Sequence, residues 1–122
     1  MRGAAPFRMT EQAYLVLLAL TPEPLHGYAV IQAVRELSGG RTVLAAATLY
    51  GNLDRLVHAR LVATAGESVV DGRLRRYYRI TDDGRRAAEA ETERLQALAD
   101  RARRALRRRP AGPAGDLAGG FA

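Results

Sequence analysis

The chain has 122 residues and a formal net charge of +6, and its sequence pI is about 10.7. This length holds one domain with an extension but not an ordinary two-domain enzyme, and the positive charge favours a polyanionic partner. There is no cysteine, no membrane-length apolar run and no apolar leader, and the two histidines lie on different predicted elements. The sequence therefore excludes disulfides and thiolate metal sites, and predicts a soluble cytoplasmic protein without metal or cofactor.

Two apolar segments at the start of the chain predict helices. The first follows Thr10, a residue type that caps helix N-termini, and ends before Pro22. It is apolar on almost all sides, which is typical of a central helix. The second helix is expected from about residue 27 to residue 37, before a glycine pair that favours a left-handed stop. Its spacing predicts a buried stripe formed by Tyr28, Ile31, Val34 and Leu37.

A third helix, predicted over residues 46–56, carries an apolar face and an opposite face of small and polar side chains. A hydroxyl can bind phosphate or a base, a guanidinium can read guanine, and an amide can bind adenine. A glycine permits close approach at a helix cost of roughly 1 kcal/mol. The alternatives are a half-buried packing role for the tyrosine and a surface salt bridge of the arginine with Asp54 or Glu36. The candidate DNA contacts are Thr48, Tyr50, Gly51, Asn52 and Arg55.

The chain then changes to a strand period. Residues 61–65 and 75–80 are strand candidates, and Gly66 and the Asp71-Gly72 pair supply turn chemistry. A lone hairpin is marginal in water, so Tyr78 and Ile80 are expected to pack against the helices. Arginines near the tip suit a narrow minor groove, although a solvated charge run is the alternative. These candidate contacts are Arg73, Arg75 and Arg76.

The last predicted helix begins after Thr81 and continues to about residue 109, a span of about 40 Å. Its apolar residues form one narrow line, which consists of Leu95, Leu98, Ala102, Ala105 and Leu106. Nothing else in the chain is predicted to cover that line. We therefore expect dimerisation through this helix, together with the first helix. Residues 110–122 are rich in proline and glycine and predict a disordered tail.

Three motifs, in this order and spacing, resemble the PadR family of bacterial transcriptional regulators. They are residues 25–28 (LHGY), residues 47–50 (ATLY) with Leu53, Arg55 and Leu56, and residues 76–81 (RYYRIT) with Gly84. The resemblance covers about residues 9–106 and is to the branch with a single C-terminal helix. It implies a homodimer that binds a pseudo-palindromic operator, usually as a repressor.

Many members of that family respond to a small aromatic or cationic compound, and some short members hold flat drugs between tryptophans at the dimer interface. This chain has no tryptophan, which argues against that binding mode. A ligand site at the interface would be lined by the first and last helices. Its candidate residues are Tyr14, Leu18, Leu95 and Leu98.

The predicted fold is mainly α with a small β-hairpin, a winged helix-turn-helix followed by a long C-terminal dimerisation helix. The expected division is a flexible N-terminus (1–8), a DNA-binding domain (9–80), a dimerisation helix (81–109) and a disordered tail (110–122). The expected function is sequence-specific DNA binding by a transcriptional regulator. The alternatives are a winged-helix protein-interaction module and an architectural binder indifferent to sequence. No catalytic residues are predicted, because the sequence has neither a cysteine nucleophile nor a glycine-rich phosphate loop.

Overall fold

Residues 7–108 and 110 are described by a computed structural model of the chain. Of the predicted tail (110–122), only residue 110 is among the described residues. Residues 1–6 of the predicted flexible start lie outside them. The elements, in chain order, are α1 (Glu11–Ala19), β1 (Leu25–His26), α2 (Gly27–Leu37), α3 (Ala46–His58), β2 (Val62–Val70), β3 (Arg73–Ile80) and α4 (Asp82–Arg107).

The central position predicted for α1 is confirmed. The hydroxyl of Thr10 accepts a hydrogen bond of 3.1 Å from the backbone N–H of Ala13, so it caps the helix as expected. Val16 and Leu17 are completely buried, and apolar residues of α2, α3 and the sheet surround them. Because α1 is enclosed in this way, it packs against both α2 and α3.

The buried face of α2 differs from the predicted one. Tyr28 and Leu37 are exposed, at 66% and 51%, whereas Val30 and Val34 are completely buried. The buried stripe is therefore rotated by about one residue from the predicted stripe. α2 therefore has two apolar stripes. The stripe with the smaller side chains, which contains Val30 and Val34, packs against α1 and α3. The predictions for Tyr28 and Leu37 are wrong, whereas Val34 is buried as predicted and Ile31 packs against the core.

The hairpin formed by β2 and β3 turns at Asp71 and Gly72, as predicted. Both residues have positive φ, 50° and 76°, which is the requirement of a tight type I′ turn. Gly66, at φ 107°, lies inside β2 and not in a turn. The register of β2 against β3 shifts between Thr64 and Glu67, so Gly66 forms part of a bulge and the strand continues to Val70.

The sheet has a third strand that the sequence did not predict. β1 contains only Leu25 and His26, which pair antiparallel with Tyr78 and Tyr77 of β3, and the strand order is β1-β3-β2. Tyr78 is 5% exposed, and Ile80 packs against the core, as expected. This third strand and these two side chains hold the hairpin against the helices.

The junction between β3 and α4 is fixed by Thr81. Its hydroxyl donates a hydrogen bond of 2.8 Å to the carbonyl of Arg60 and accepts one of 3.0 Å from the N–H of Gly84, so the predicted cap is confirmed. A Cβ atom at Gly84 would overlap the carbonyl oxygen of Leu61 and would lie 2.9 Å from Cγ1 of Ile80. Only glycine therefore fits at this point of the first turn.

The chain divides into two compact units, one ending at Glu91 and one beginning at Thr92, so the boundary falls within α4. In the first unit, α4 contributes the buried Gly84 and Ala88. In the second unit, Leu95, Leu98 and Leu106 are exposed. Among the described residues, no helix combines the length and the apolar character that a membrane crossing needs.

Candidate nucleic-acid interface

α3 has the two faces that its sequence predicts. Leu49, Leu53 and Leu56 are completely buried. Thr48 and Arg55 lie on the exposed side, one helical turn on either side of Gly51. This exposed stripe contains one hydroxyl, one guanidinium and one residue without a side chain. Such a surface can lie close to a duplex groove and present hydrogen-bond donors to it.

Asn52 does not lie on the flank of that exposed face, and its predicted placement is wrong. Its side chain is 1% exposed. The amide Nδ2 donates to the carbonyl oxygen of Thr48 at 3.0 Å and to Oε1 of Gln12 at 3.4 Å. The amide Oδ1 accepts a hydrogen bond of 3.1 Å from Nη2 of Arg55. Asn52 therefore contacts Arg55 from within the protein and does not itself reach the surface.

Arg55 makes this amide contact instead of the salt bridge that was the alternative. Among the described residues, no ion pair joins it to Asp54 or Glu36. Nη1 of Arg55 would lie 3.8 Å from a Cβ atom placed on Gly51, so the guanidinium lies beside that glycine. The positive charge of Arg55 is thus held along the exposed stripe without a carboxylate to neutralise it.

Tyr50 is 46% exposed and links α3 to the first residue of α2. A Cβ atom at Gly27 would overlap the Tyr50 hydroxyl and would lie 2.9 Å from Cζ of the same ring. The phenol therefore rests against the backbone of Gly27 while its other edge remains accessible. This contact requires glycine at position 27 and fixes the direction of Tyr50.

Tyr50 and the wing arginines line the same cleft, which has a volume of about 420 Å³. The cleft lies between the start of α2, α3 and the edge of β3. Its lining combines aromatic, imidazole and guanidinium groups, and no carboxylate is among them. The lining residues are His26, Gly27, Tyr28, Tyr50, Arg73, Leu74, Arg75 and Arg76.

Two of the three wing arginines have partners within the protein. Nη1 of Arg75 lies 3.2 Å from Nε2 of His26, and the His26 ring packs edge-to-face on Tyr77 at 5.5 Å between centroids. Burial, and then the charge of Arg75, lower the pKa of His26, which favours the neutral ring that can accept a hydrogen bond from Arg75. Arg76 bonds to Glu67 at 3.3 Å, and this hydrogen bond raises the pKa of Arg76. Both members of that pair are exposed, so the pair contributes little to stability.

The four candidate ligand residues lie in different units. Tyr14 and Leu18 of α1 are half-buried in the first unit, and Leu95 and Leu98 of α4 are exposed in the second. A ligand site that contains all four stays a prediction. No group of three or more potential metal-binding side chains is found among the described residues.

Sequence reasoning missed three residues that position this face, namely Gln12, His26 and Gly27. The motif at residues 25–28 contributes to the family resemblance, but it does not predict that His26 contacts Arg75 or that Gly27 contacts Tyr50. The contact of Gln12 with Asn52 joins residues 40 positions apart, and no periodic pattern reports such a contact.

Comparison with known proteins gives a consistent result. A model of the PadR-like transcriptional regulator family matches residues 16–90. An uncharacterised 37.1 kDa protein in transposon TN4556 of Streptomyces fradiae is 38% identical over 94 residues, which are 77% of this chain and 26% of that protein. The chain therefore spans about a quarter of the length of that curated relative.

Two solved structures of regulators are similar to this one. A PadR family transcriptional regulator from Eggerthella lenta is 30% identical, with a TM-score of 0.63 over 78% of this chain and 83% of that one. Bacillus subtilis PadR in complex with operator DNA is 18% identical, with a TM-score of 0.59 over 66% of this chain and 46% of that one. At 18% identity the second likeness concerns the fold alone.

Proposed function

The chain belongs to the PadR-like family of transcriptional regulators, and from this membership we propose that it is a sequence-specific DNA-binding protein that acts as a homodimer. Its target is a pseudo-palindromic operator, and its action is repression of transcription. The family resemblance drawn from the motifs and the mainly α, winged-helix fold class are both confirmed, and they are the premises of this proposal.

The observation that carries the proposal is the shared cleft between α3 and the wing. Tyr50 of α3 lines it together with Arg73, Arg75 and Arg76 of β3. α3 enters the major groove with Thr48 and Arg55 facing base edges and Gly51 allowing a close approach. The wing arginines then lie along the flanking backbone or minor groove, where the potential is most negative. Phosphate groups between these two contacts are held by Tyr50 and Arg75.

The neighbour from Bacillus subtilis supports this docking by analogy. Its structure contains operator DNA, and its fold is similar over two thirds of the present chain. A winged helix presents α3 and the hairpin on the same side, and in this chain that side carries the exposed side chain of Arg55 and the arginines of the wing.

The homodimer rests on the second unit of the chain. Leu95 and Leu98 are 37% and 47% exposed, and Leu106 is 85% exposed. With Ala102 and Ala105 they recur at steps of three and four residues, the seam of a helix that pairs with another helix. We assign residues 9–80 to DNA binding and residues 81–109 to dimerisation. Two-fold symmetry then places half-sites about 34–36 Å apart, or at a multiple of that distance.

The test uses the purified full chain and a library of random-sequence duplexes. Repeated selection on the chain should enrich a two-fold symmetric sequence, and fluorescence anisotropy should give tighter binding to it than to a scrambled duplex of equal composition. Arg55→Ala should relax the preference at one base pair of each half-site. Arg104→Ala, which removes an equal charge from the exposed side of α4 opposite the proposed dimer seam, is the matched control and should leave the preference unchanged.

The two alternatives give different results in the same experiment. An architectural binder would bind the enriched and scrambled duplexes equally at every salt concentration. A protein-interaction module would bind neither duplex, and Arg55→Ala would change nothing.

A further inference from the structure

Asn52 is an exception in the core of this protein. Among the described residues, it is the one polar side chain that is buried, and its neighbours on the inner face of α3 are leucines. Burial of an amide is unfavourable unless each of its polar atoms is hydrogen-bonded. An apolar residue at this position would pack against the same leucines without that requirement. The presence of asparagine therefore indicates a task that an apolar side chain does not perform.

The hydrogen bonds of Asn52 fix which way its amide points. Its donor end, Nδ2, faces two acceptors, the carbonyl oxygen of Thr48 and Oε1 of Gln12. A flipped amide would place its oxygen against the Thr48 carbonyl and its N–H groups against the Arg55 guanidinium, so both contacts would be lost. The Thr48 carbonyl on α3 and Gln12 on α1 thereby direct Oδ1 toward Arg55.

Oδ1 in turn fixes the guanidinium of Arg55. Nη2 donates to it at 3.1 Å, and Nη1 lies beside Gly51, on the exposed stripe of α3. This leaves Nη1, with the second N–H of Nη2, available for an acceptor outside the protein. A free arginine side chain loses rotamer entropy when it is ordered. Ordering before the encounter lowers the cost of the contact and restricts the contact to one direction.

We infer that Asn52 is a positioning residue that determines base specificity, because it presents Arg55 to a single base pair in an orientation set by Gln12 and Thr48. This inference rests on the proposed function, since Arg55 must reach the duplex. A purely structural role for Asn52 makes a different prediction. Its replacement would then change stability or weaken binding to all duplexes equally, and the base preference would stay the same.

The experiment compares selected sequences from the random duplex library for the wild-type chain and three variants. Arg55→Ala should reduce discrimination at one base pair by about tenfold, as loss of one guanidinium–guanine contact does. Asn52→Ala should reduce it about fivefold at the same base pair, and the double variant should be no worse than Arg55→Ala alone. Thermal unfolding of each variant shows that it is folded.

Two further variants keep the test decisive if the alanine variant is unstable. Asn52→Leu removes the same hydrogen bonds without leaving a void and should give the same altered preference. Gln12→Ala changes an exposed side chain and should weaken discrimination at that base pair by about twofold.

The outcomes separate the inference from the proposed function. In one outcome, Arg55→Ala changes the base preference, whereas the Asn52 variants keep the wild-type preference or weaken binding to all duplexes equally. The inference is then wrong and the proposed function stands. If the wild-type chain enriches no sequence, the proposed function is wrong and the inference is overturned with it.

Discussion

Replacement of Gly51 by alanine should raise stability and lower DNA affinity at once. Gly51 lies in the interior of α3, where glycine is less favourable than alanine by about 0.5–1 kcal/mol. An added Cβ would meet one atom within 4 Å, Nη1 of Arg55 at 3.8 Å, which is ordinary van der Waals contact. Nothing in the fold therefore opposes the methyl group. The free energy of unfolding should rise by about 0.5–1 kcal/mol, and Tm by roughly 4 °C.

The same methyl group stands on the stripe that we propose to face the duplex. It would separate the helix backbone from the groove and would touch the guanidinium that Asn52 holds. We expect the affinity for the enriched duplex to fall about fivefold, a loss of about 1 kcal/mol. Chemical denaturation measures the first effect, and fluorescence anisotropy at fixed salt measures the second.

Gly39→Ala is the matched control for this experiment. Gly39 also has open space around it, but its φ is +65°, which an alanine adopts only with strain. This control should lose about 1 kcal/mol of stability and keep the wild-type duplex affinity. If Gly51→Ala lowers stability, or leaves duplex affinity unchanged, Gly51 does not serve close approach to the duplex at a cost in helix stability.

Three other predictions concern the wing and its junctions. Arg75→Ala should weaken binding to enriched and scrambled duplexes alike and reduce the salt dependence of binding by about one unit; an unchanged slope in anisotropy titrations would remove Arg75 from the interface. Gly84→Ala should cost at least about 2 kcal/mol in urea unfolding, since its Cβ overlaps the Leu61 carbonyl; a stability equal to wild type would contradict this. Burial, and then the charge of Arg75, lower the pKa of His26 in the folded chain. As pH falls, the unfolded chain therefore binds the proton at a higher pH than the folded chain does. The free energy of unfolding should decrease as pH falls below about 6.5. In His26→Gln, the free energy of unfolding should decrease less between about pH 7 and pH 5 than in the wild type. An equal decrease in the variant and the wild type would contradict this.

Elements with local signals were predictable from the sequence. Thr10 and Thr81 bond to their own helices three residues ahead, so the start of α1 and that of α4 could be inferred from neighbouring residues. The two faces of α3 and the Asp71-Gly72 turn also depend on short-range patterns. Each of these features was confirmed.

Features set by distant contacts could not be predicted. β1 has two residues and exists because Leu25 and His26 meet β3 some 50 positions later. The sequence of α2 contains two apolar stripes, and which of them is buried depends on packing against α1 and α3. The burial of Asn52 depends on Gln12 of α1, and in a helical projection the same residue falls at the margin of the polar face. Gly66 carries the signature of a turn, whereas its bulge is defined by the register against β3.

The most direct test of the central claim is the stoichiometry and selectivity of duplex binding by the full chain. Sedimentation velocity with the enriched duplex and with its scrambled version should give two chains bound to each enriched duplex. At the same salt and protein concentration, little complex should form with the scrambled one. One chain per duplex, or equal occupancy of the two sequences, would contradict the account of a dimeric, sequence-reading regulator.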